Sequence, residues 1–229
     1  MAKLLQKEID AVKKRILTLG AIVEARVQDA VRAIDERDAE LARRVIDGDP
    51  EIDRMEVDLE EDCLKILALH QPVAIDLRFL ASVIKINTEL ERIGDLAVNI
   101  GERAVFLASH PPVDVAFDFA GMSGQVKTML KTSLDALVNL DLALAAQVIE
   151  ADDRVDDINR AMYQTVQQGI RKYPDRVECL LHLWSVSRHL ERIADHASNV
   201  AEDVVYMVQG TIVRHRTEEL KMDMGKIDA

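Results

Sequence analysis

Glu91, Asp95, Asn99 and Glu102 follow one another at steps of four, four and three residues, the spacing that sets side chains on one face of a helix. Oxygen donors so arranged suit a hard or borderline cation held by carboxylates. One hundred positions later the pattern returns as Glu191, Asp195, Asn199 and Glu202. Of the thirteen residues from Leu90 to Glu102, eight are identical in Leu190 to Glu202. The shared residues include Glu, Arg, Asp and Asn, which an apolar core does not dictate. The chain therefore reads as an internal duplication.

The repeat extends towards the N-terminus. Ile46-Asp47-Gly48-Asp49 with Ile52-Asp53 matches Ile149-Glu150-Ala151-Asp152 with Val155-Asp156, now at an offset of 103. A turn near Gln71-Pro72 and Tyr173-Pro174 absorbs the change of offset. If the helices before and after that turn are antiparallel, Asp53 lies level with Glu91, and Asp49 with Asp95. Asp156 then lies level with Glu191, and Asp152 with Asp195.

The plain reading of either stripe is a solvated face, since it lies roughly 90° or more from the apolar seam. Two features weigh against it. Like charges at i and i+4 disfavour a helix, yet Glu91/Asp95 and Glu191/Asp195 repeat the pair, and a bound cation reverses that sign. Each copy also brings an Asp pair from one helix towards a Glu/Asp pair on the next. The candidate ligands are Glu91, Asp95, Asn99 and Asp53 in the first copy, and Glu191, Asp195, Asn199 and Asp156 in the second. Asp49 and Asp152 read as helix caps, while Asp53 and Asp156 could merely favour the helix dipole. The sites should be shallow and open to water. With no Cys and no obligatory His, the donor set fits Mg, Mn or Fe better than structural zinc. His182, His189 and His196 have Ser82, Glu89 and Leu96 as counterparts, and read as surface histidines.

Apolar residues recur at helical spacing almost throughout. Helices are expected at about 3–35, 38–46, 49–69 and 74–108, then at about 117–139, a short piece ending at Ile149, a helix opening at Asp152 and ending near Tyr173, and one to about residue 209. Leu90, Ile93, Ala97, Ile100, Ala104 and Leu107 keep a seam spacing that Leu190, Ile193, Ala197, Val200, Val204 and Met207 repeat. The fold class is all-α: two tandem three-helix bundles, 1–110 and 115–210, with a polar tail at 211–229.

At 229 residues, 3% aromatic and 48% hydrophobic, the composition is that of long helices. A net charge of −12 argues against nucleic-acid binding and against an anionic membrane surface. Cys63 and Cys179 stand alone and read as buried, inert thiols. The N-terminal residues lack a signal peptide's apolar middle, and no apolar run is long enough to span a membrane, so a cytoplasmic protein is expected. No His has Glu three positions before it, as the ferritin-like di-iron helices require, and P-loop, GxGxxG, HExxH and GxSxG motifs are absent. The chain does not read as an enzyme. A carboxylate-metal helical-bundle hydrolase or oxidase stays open as the alternative, with a plain helical scaffold beside it.

Glu91-Arg92-Ile93-Gly94-Asp95 and Glu191-Arg192-Ile193-Ala194-Asp195 resemble the paired acidic motif of the PhoU family of bacterial phosphate-signalling regulators. Asn99, Asn199, the doubled three-helix length and Gly210-Thr211-Ile212-Val213-Arg214-His215 are similar to that family too. The likeness covers residues 1 to about 216. It implies a non-catalytic cytoplasmic adaptor and negative regulator of phosphate uptake and the starvation response. Such an adaptor couples the ATPase subunit of a phosphate transporter to a phosphate-sensing histidine kinase. It also implies a homodimer and metal at the two motifs, the ion being Fe, Mn, Mg or Zn.

Overall fold

A computed structural model describes residues 2–115 and 119–211. Seven α-helices follow in order: α1 Ala2–Asp35, α2 Ala39–Asp47, α3 Asp49–His70, α4 Ala74–Ala108, α5 Phe119–Asn139, α6 Leu142–Lys172 and α7 Val177–Gln209. One 3-10 turn, Pro174–Arg176, leads into α7, and no strand occurs among the described residues. Helices α1, α3 and α4 make the first bundle, with α2 set against α4; α5, α6 and α7 make the second. The start expected for α5 and most of the tail fall at 116–118 and 212–229, outside the described residues.

The seam residues do what their spacing requires. Leu90, Ile93, Ala97, Ile100, Ala104 and Leu107 are buried on α4, and their six counterparts are buried on α7. Cys63 and Cys179 are buried and unpaired. Burial pushes the Cys63 thiol up to about 12, which makes it unreactive at neutral pH.

Two expectations about helix ends need correction. Asp49 does not cap α3: the N-cap is Gly48, and Asp49 and Pro50 are the first helical residues. Asp152 caps nothing, because α6 runs through it without a break. The cause is local. Pro50 has no N–H to continue the ladder of α2, whereas Ala151-Asp152-Asp153 has neither Pro nor Gly to interrupt one. The Asp caps lie elsewhere. Asp38 accepts from the amides of Glu40 and Leu41, and Asp141 from those of Ala143 and Leu144. These caps are duplicates at the offset of 103, and each follows a left-handed residue, Arg37 or Leu140.

Helices α4 and α7 form the most extensive helix pairing among the described residues, and they cross antiparallel. Lys85 on α4 reaches Asp203 on α7 at 3.3 Å. Arg103 on α4 reaches Ser185 on α7, also at 3.3 Å. Position 185 is the counterpart of 85, and 103 that of 203. The two contacts are thus exchanged by the duplication, and a local pseudo-two-fold axis runs through the pairing.

Two glycines set how closely α4 meets its neighbours. A Cβ on Gly94 would come within 3.1 Å of Ile52 on α3, and one on Gly101 within 3.2 Å of the Ala42 carbonyl oxygen on α2. The Gly101 contact is with backbone, which cannot rotate away. Gly101→Val should lower stability by about 1–3 kcal/mol through overpacking, despite the gain in helix propensity over Gly. Thermal unfolding checks this; an unchanged midpoint would show that α2 moves freely.

Candidate functional site

The turn Gln71–Val73 folds α4 back along α3, and Tyr173–Arg176 does the same for α7 and α6. Buried polar contacts fix both registers. Asn87 Nδ2 donates to the Glu56 carbonyl at 2.8 Å across α4 and α3. At the corresponding place in the second bundle, Ser187 Oγ donates to Asn159 Oδ1, also at 2.8 Å.

With the register fixed, the acidic residues converge. In the first bundle, Asp49 is raised above its ordinary range by burial and then by the charges of Asp53 and Asp95. Glu91 is raised by burial and then by Asp95, Glu56 and Asp53. In the second bundle, burial followed by Asp195 and Asp156 pushes Asp152 up to about 6. Burial, Glu191 and Asp156 push Asp195 up to about 6 as well. Glu191 is raised by burial and then by Asp156. Glu91 and Glu191 are half-buried; Asp95 and Asp195 keep more of their surface in water, although protein crowds the Asp195 carboxyl closely enough to disfavour its charge.

Among the described residues, no three His, Cys, Asp or Glu side chains close on a common point that could hold an ion. The carboxylates feel one another but stand apart, as mutually repelling charges do. One polar atom is left over: Asp152 Oδ1 is buried without a hydrogen bond. Ser198 Oγ lies beside it and lowers its pKa, yet Ser198 Oγ too is buried outside hydrogen-bond geometry. The donor set is all oxygen, and one donor is both buried and unsatisfied, so these residues fit a hard cation.

The two asparagines are turned elsewhere. Asn99 Nδ2 donates to the Asp95 carbonyl of its own helix at 2.8 Å. Asn199 Nδ2 donates across to Glu89 Oε2 at 3.0 Å. Glu89 was not singled out by spacing, yet it is only 6% exposed. His196 Nδ1 lies 2.7 Å from Glu89 Oε2, and Arg92 lies 3.3 Å from Oε1. Burial alone would raise Glu89; the hydrogen bonds of His196 and Asn199, with the charges of His196 and Arg92, outweigh it and hold the carboxyl low.

The three histidines are not surface residues. His182 stacks on Phe106 of α4 at 3.8 Å, His189 meets Ser185 at 3.1 Å, and His196 joins Glu89. All three are half-buried, because the seven-residue spacing follows the flank of α7 that α4 covers. A signal for this was present in the sequence: a charged Glu89 opposite a neutral His189 in otherwise matching copies.

Comparison with known proteins agrees with this architecture. The PhoU domain matches twice, over residues 16–104 and 119–204. A phosphate-specific transport system accessory protein PhoU homolog of Aquifex aeolicus is 40% identical over 92% of this chain and 95% of its own length. A homolog from Pseudomonas putida is 36% identical over 91% of this chain and 82% of its own. The crystal structure of PhoU from Pseudomonas aeruginosa superposes with a TM-score of 0.87 at 35% identity, covering 90% of this chain and 99% of that one. A phosphate transport system regulatory protein PhoU from Streptococcus pneumoniae gives 0.84 at 26% identity, covering 91% and 99%. The chain belongs to the PhoU family.

The raised carboxyls have a consequence for stability. Asp152 and Asp195 titrate near 6 in the fold but near 3.8 in an unfolded chain, so the folded form binds their protons first. Their contribution is complete below the unfolded value and is lost as pH rises through the folded one. His189, pushed down to about 4 by burial and by the charges of Arg103, Arg192 and Arg188, acts in the opposite sense, so a paired comparison is needed. In metal-free buffer, Asp152→Asn/Asp195→Asn should melt above the unaltered chain at about pH 7.5, with the gap closing towards about pH 5. Melting curves at matched ionic strength test this. A gap that widened on acidification would rule out the strained carboxyl pair.

Proposed function

We propose that the chain is a non-enzymatic regulator of phosphate transport that carries a cation site in each bundle. The observation that carries this reading is the duplicated acidic cluster, set in matching register on α3/α4 and α6/α7, in a member of the PhoU family. Its relatives are named as accessory and regulatory proteins of phosphate transport, not as enzymes. No observation at either cluster favours a carboxylate-metal hydrolase or oxidase.

Glu91 and Asp95 with Asp53 would hold the first ion, and Glu191 and Asp195 with Asp156 the second; Asp49 and Asp152 stand next in reach. Fe, Mn, Mg and Zn are all compatible with oxygen donors at such open places. A bound cation supplies positive charge where the carboxylates otherwise repel one another. The apolar seams build the bundles by themselves, so the ion adjusts a surface more than it supports the fold. In this reading the protein acts in the cytoplasm as a homodimer. It joins a phosphate transporter's ATPase subunit to a phosphate-sensing histidine kinase and restrains the starvation response while phosphate is plentiful. Among the described residues no helix is long and apolar enough to cross a membrane, which accords with docking onto a transporter from outside the bilayer.

Two measurements test the two halves of this reading. Deleting the gene should leave phosphate-starvation genes active in phosphate-rich medium; if they stay silent, the regulatory role fails. Asp95→Ala/Asp195→Ala should lose most bound metal in elemental analysis and titration while keeping its helical circular dichroism. Unchanged metal content in that variant would reduce both stripes to solvated surface.

A further inference from the structure

Along α7, between the flank that meets α4 and the Trp184–Tyr163 contact with α6, lies a concavity of about 340 Å³ lined by Leu181, Trp184, Ser185, Arg188, His189 and Arg192. In the first bundle the corresponding positions hold Ala81, Ile84, Lys85, Thr88, Glu89 and Arg92. There each cation has a carboxylate: Lys85 pairs with Asp203 and Arg92 with Glu89. In the second bundle Ser185 and His189 replace Lys85 and Glu89, and Arg188 replaces Thr88. Both sets thus carry two cations, but only the first carries a carboxylate to balance one of them.

The result is a local excess of positive charge on a chain whose net charge is −12. Arg188 lies over the Trp184 ring at 5.3 Å, which orients its guanidinium without neutralising it. Neither Arg188 nor Arg192 forms an ion pair among the described residues; Glu191 and Asp195 feel their charge from a distance. Arg103 approaches from α4, donating to Ser185 Oγ while its other end meets Glu102 at 2.9 Å. His189 bonds to Ser185 through Nε2, and its Nδ1 is buried without a partner. Two guanidiniums without an ion pair therefore line one concavity walled by Trp184 and Leu181, beside a Ser185 hydroxyl held by Arg103 and His189. Guanidiniums pair most strongly with oxyanions, through parallel charged hydrogen bonds.

We propose that this concavity is a binding site for a small, multiply charged tetrahedral oxyanion of the phosphate and sulfate class, with Arg188 and Arg192 as its principal ligands. Ser185, held by Arg103 from behind, completes the wall, and Trp184 excludes water from one side. The site adjoins the second acidic cluster, whose Glu191 and Asp195 feel the charge of its arginines, but the regulatory reading stands or falls without it.

Trp184 is the sole tryptophan in the chain, so its emission reports on this place alone. Metal-free protein is titrated with inorganic phosphate, and separately with sodium sulfate, at ionic strength held constant with sodium chloride. The expected result is a saturable, single-site change in Trp184 emission with either oxyanion, matched by calorimetry. Arg188→Gln and Arg192→Gln should each weaken binding about tenfold or more, the loss of a charge-assisted hydrogen bond, with circular dichroism unchanged. Thr88→Ala, at the matching position of the first bundle, should leave binding as it was. A response that only tracks salt, no response at all, or an affinity in both arginine variants unchanged from that of the unaltered chain overturns the site. Calorimetric binding that persists in the variants without a Trp184 signal places the anion elsewhere and overturns it too.

Discussion

The antiparallel contact of α4 with α7 is the constraint on which the other features depend. Each helix carries the apolar seam of its own bundle on one side and meets its counterpart on another. That leaves a third side for chemistry, and both acidic stripes fall there. Because the seam and the helix–helix flank are both fixed, the stripe cannot rotate inward. Glu89 shows how firmly the contact is specified. A buried carboxylate is costly unless it is fully hydrogen-bonded, and here His196, Asn199 and Arg92 all converge on it.

The acidic clusters are a second, weaker layer placed on this frame. Their carboxyls are raised by burial and by one another, so without a counter-charge they oppose the fold near neutral pH. A structure tolerates such groups where the apolar core already supplies the stability. The clusters sit on helix surfaces with the deepest residues beneath them belonging to the seam, so changes of charge at the clusters leave the apolar packing of the bundle in place.

Much of this was legible in the sequence, and the limits have physical causes. Periodicity located α1, α3, α4 and the end of α7 to within a residue or two, because each is long and has a strong apolar stripe. The duplication placed Asp53 beside Glu91, Asp156 beside Glu191 and Asp152 beside Asp195, because antiparallel helices joined by a short turn leave little freedom of register. The break expected before Asp152 is absent, since the first copy's break depends on Pro50 and the second copy has no such residue. The histidines were misjudged for a different reason. A contact between two bundles uses the same heptad spacing as a solvated flank, and only the fold tells which flank is covered. Asn87 and Ser187, which hold the registers, carry no pattern at all.

The pseudo-two-fold pairing of α4 and α7 also determines which halves can associate. Two first halves meeting through this flank would set Lys85 against Arg103 and leave the buried Glu89 facing Leu96. Two second halves would set His189 against His196 and give Asp203 only Ser185. The arrangement found here satisfies all of these at once, through Lys85 with Asp203, Arg103 with Ser185, and Glu89 with His196. The duplicated halves have therefore diverged into complementary surfaces, each disfavouring its own kind. A chain that opened at the 109–115 connection would find its best partner in its own other half, and exchange of halves between neighbouring molecules would gain no contact that closure does not already provide.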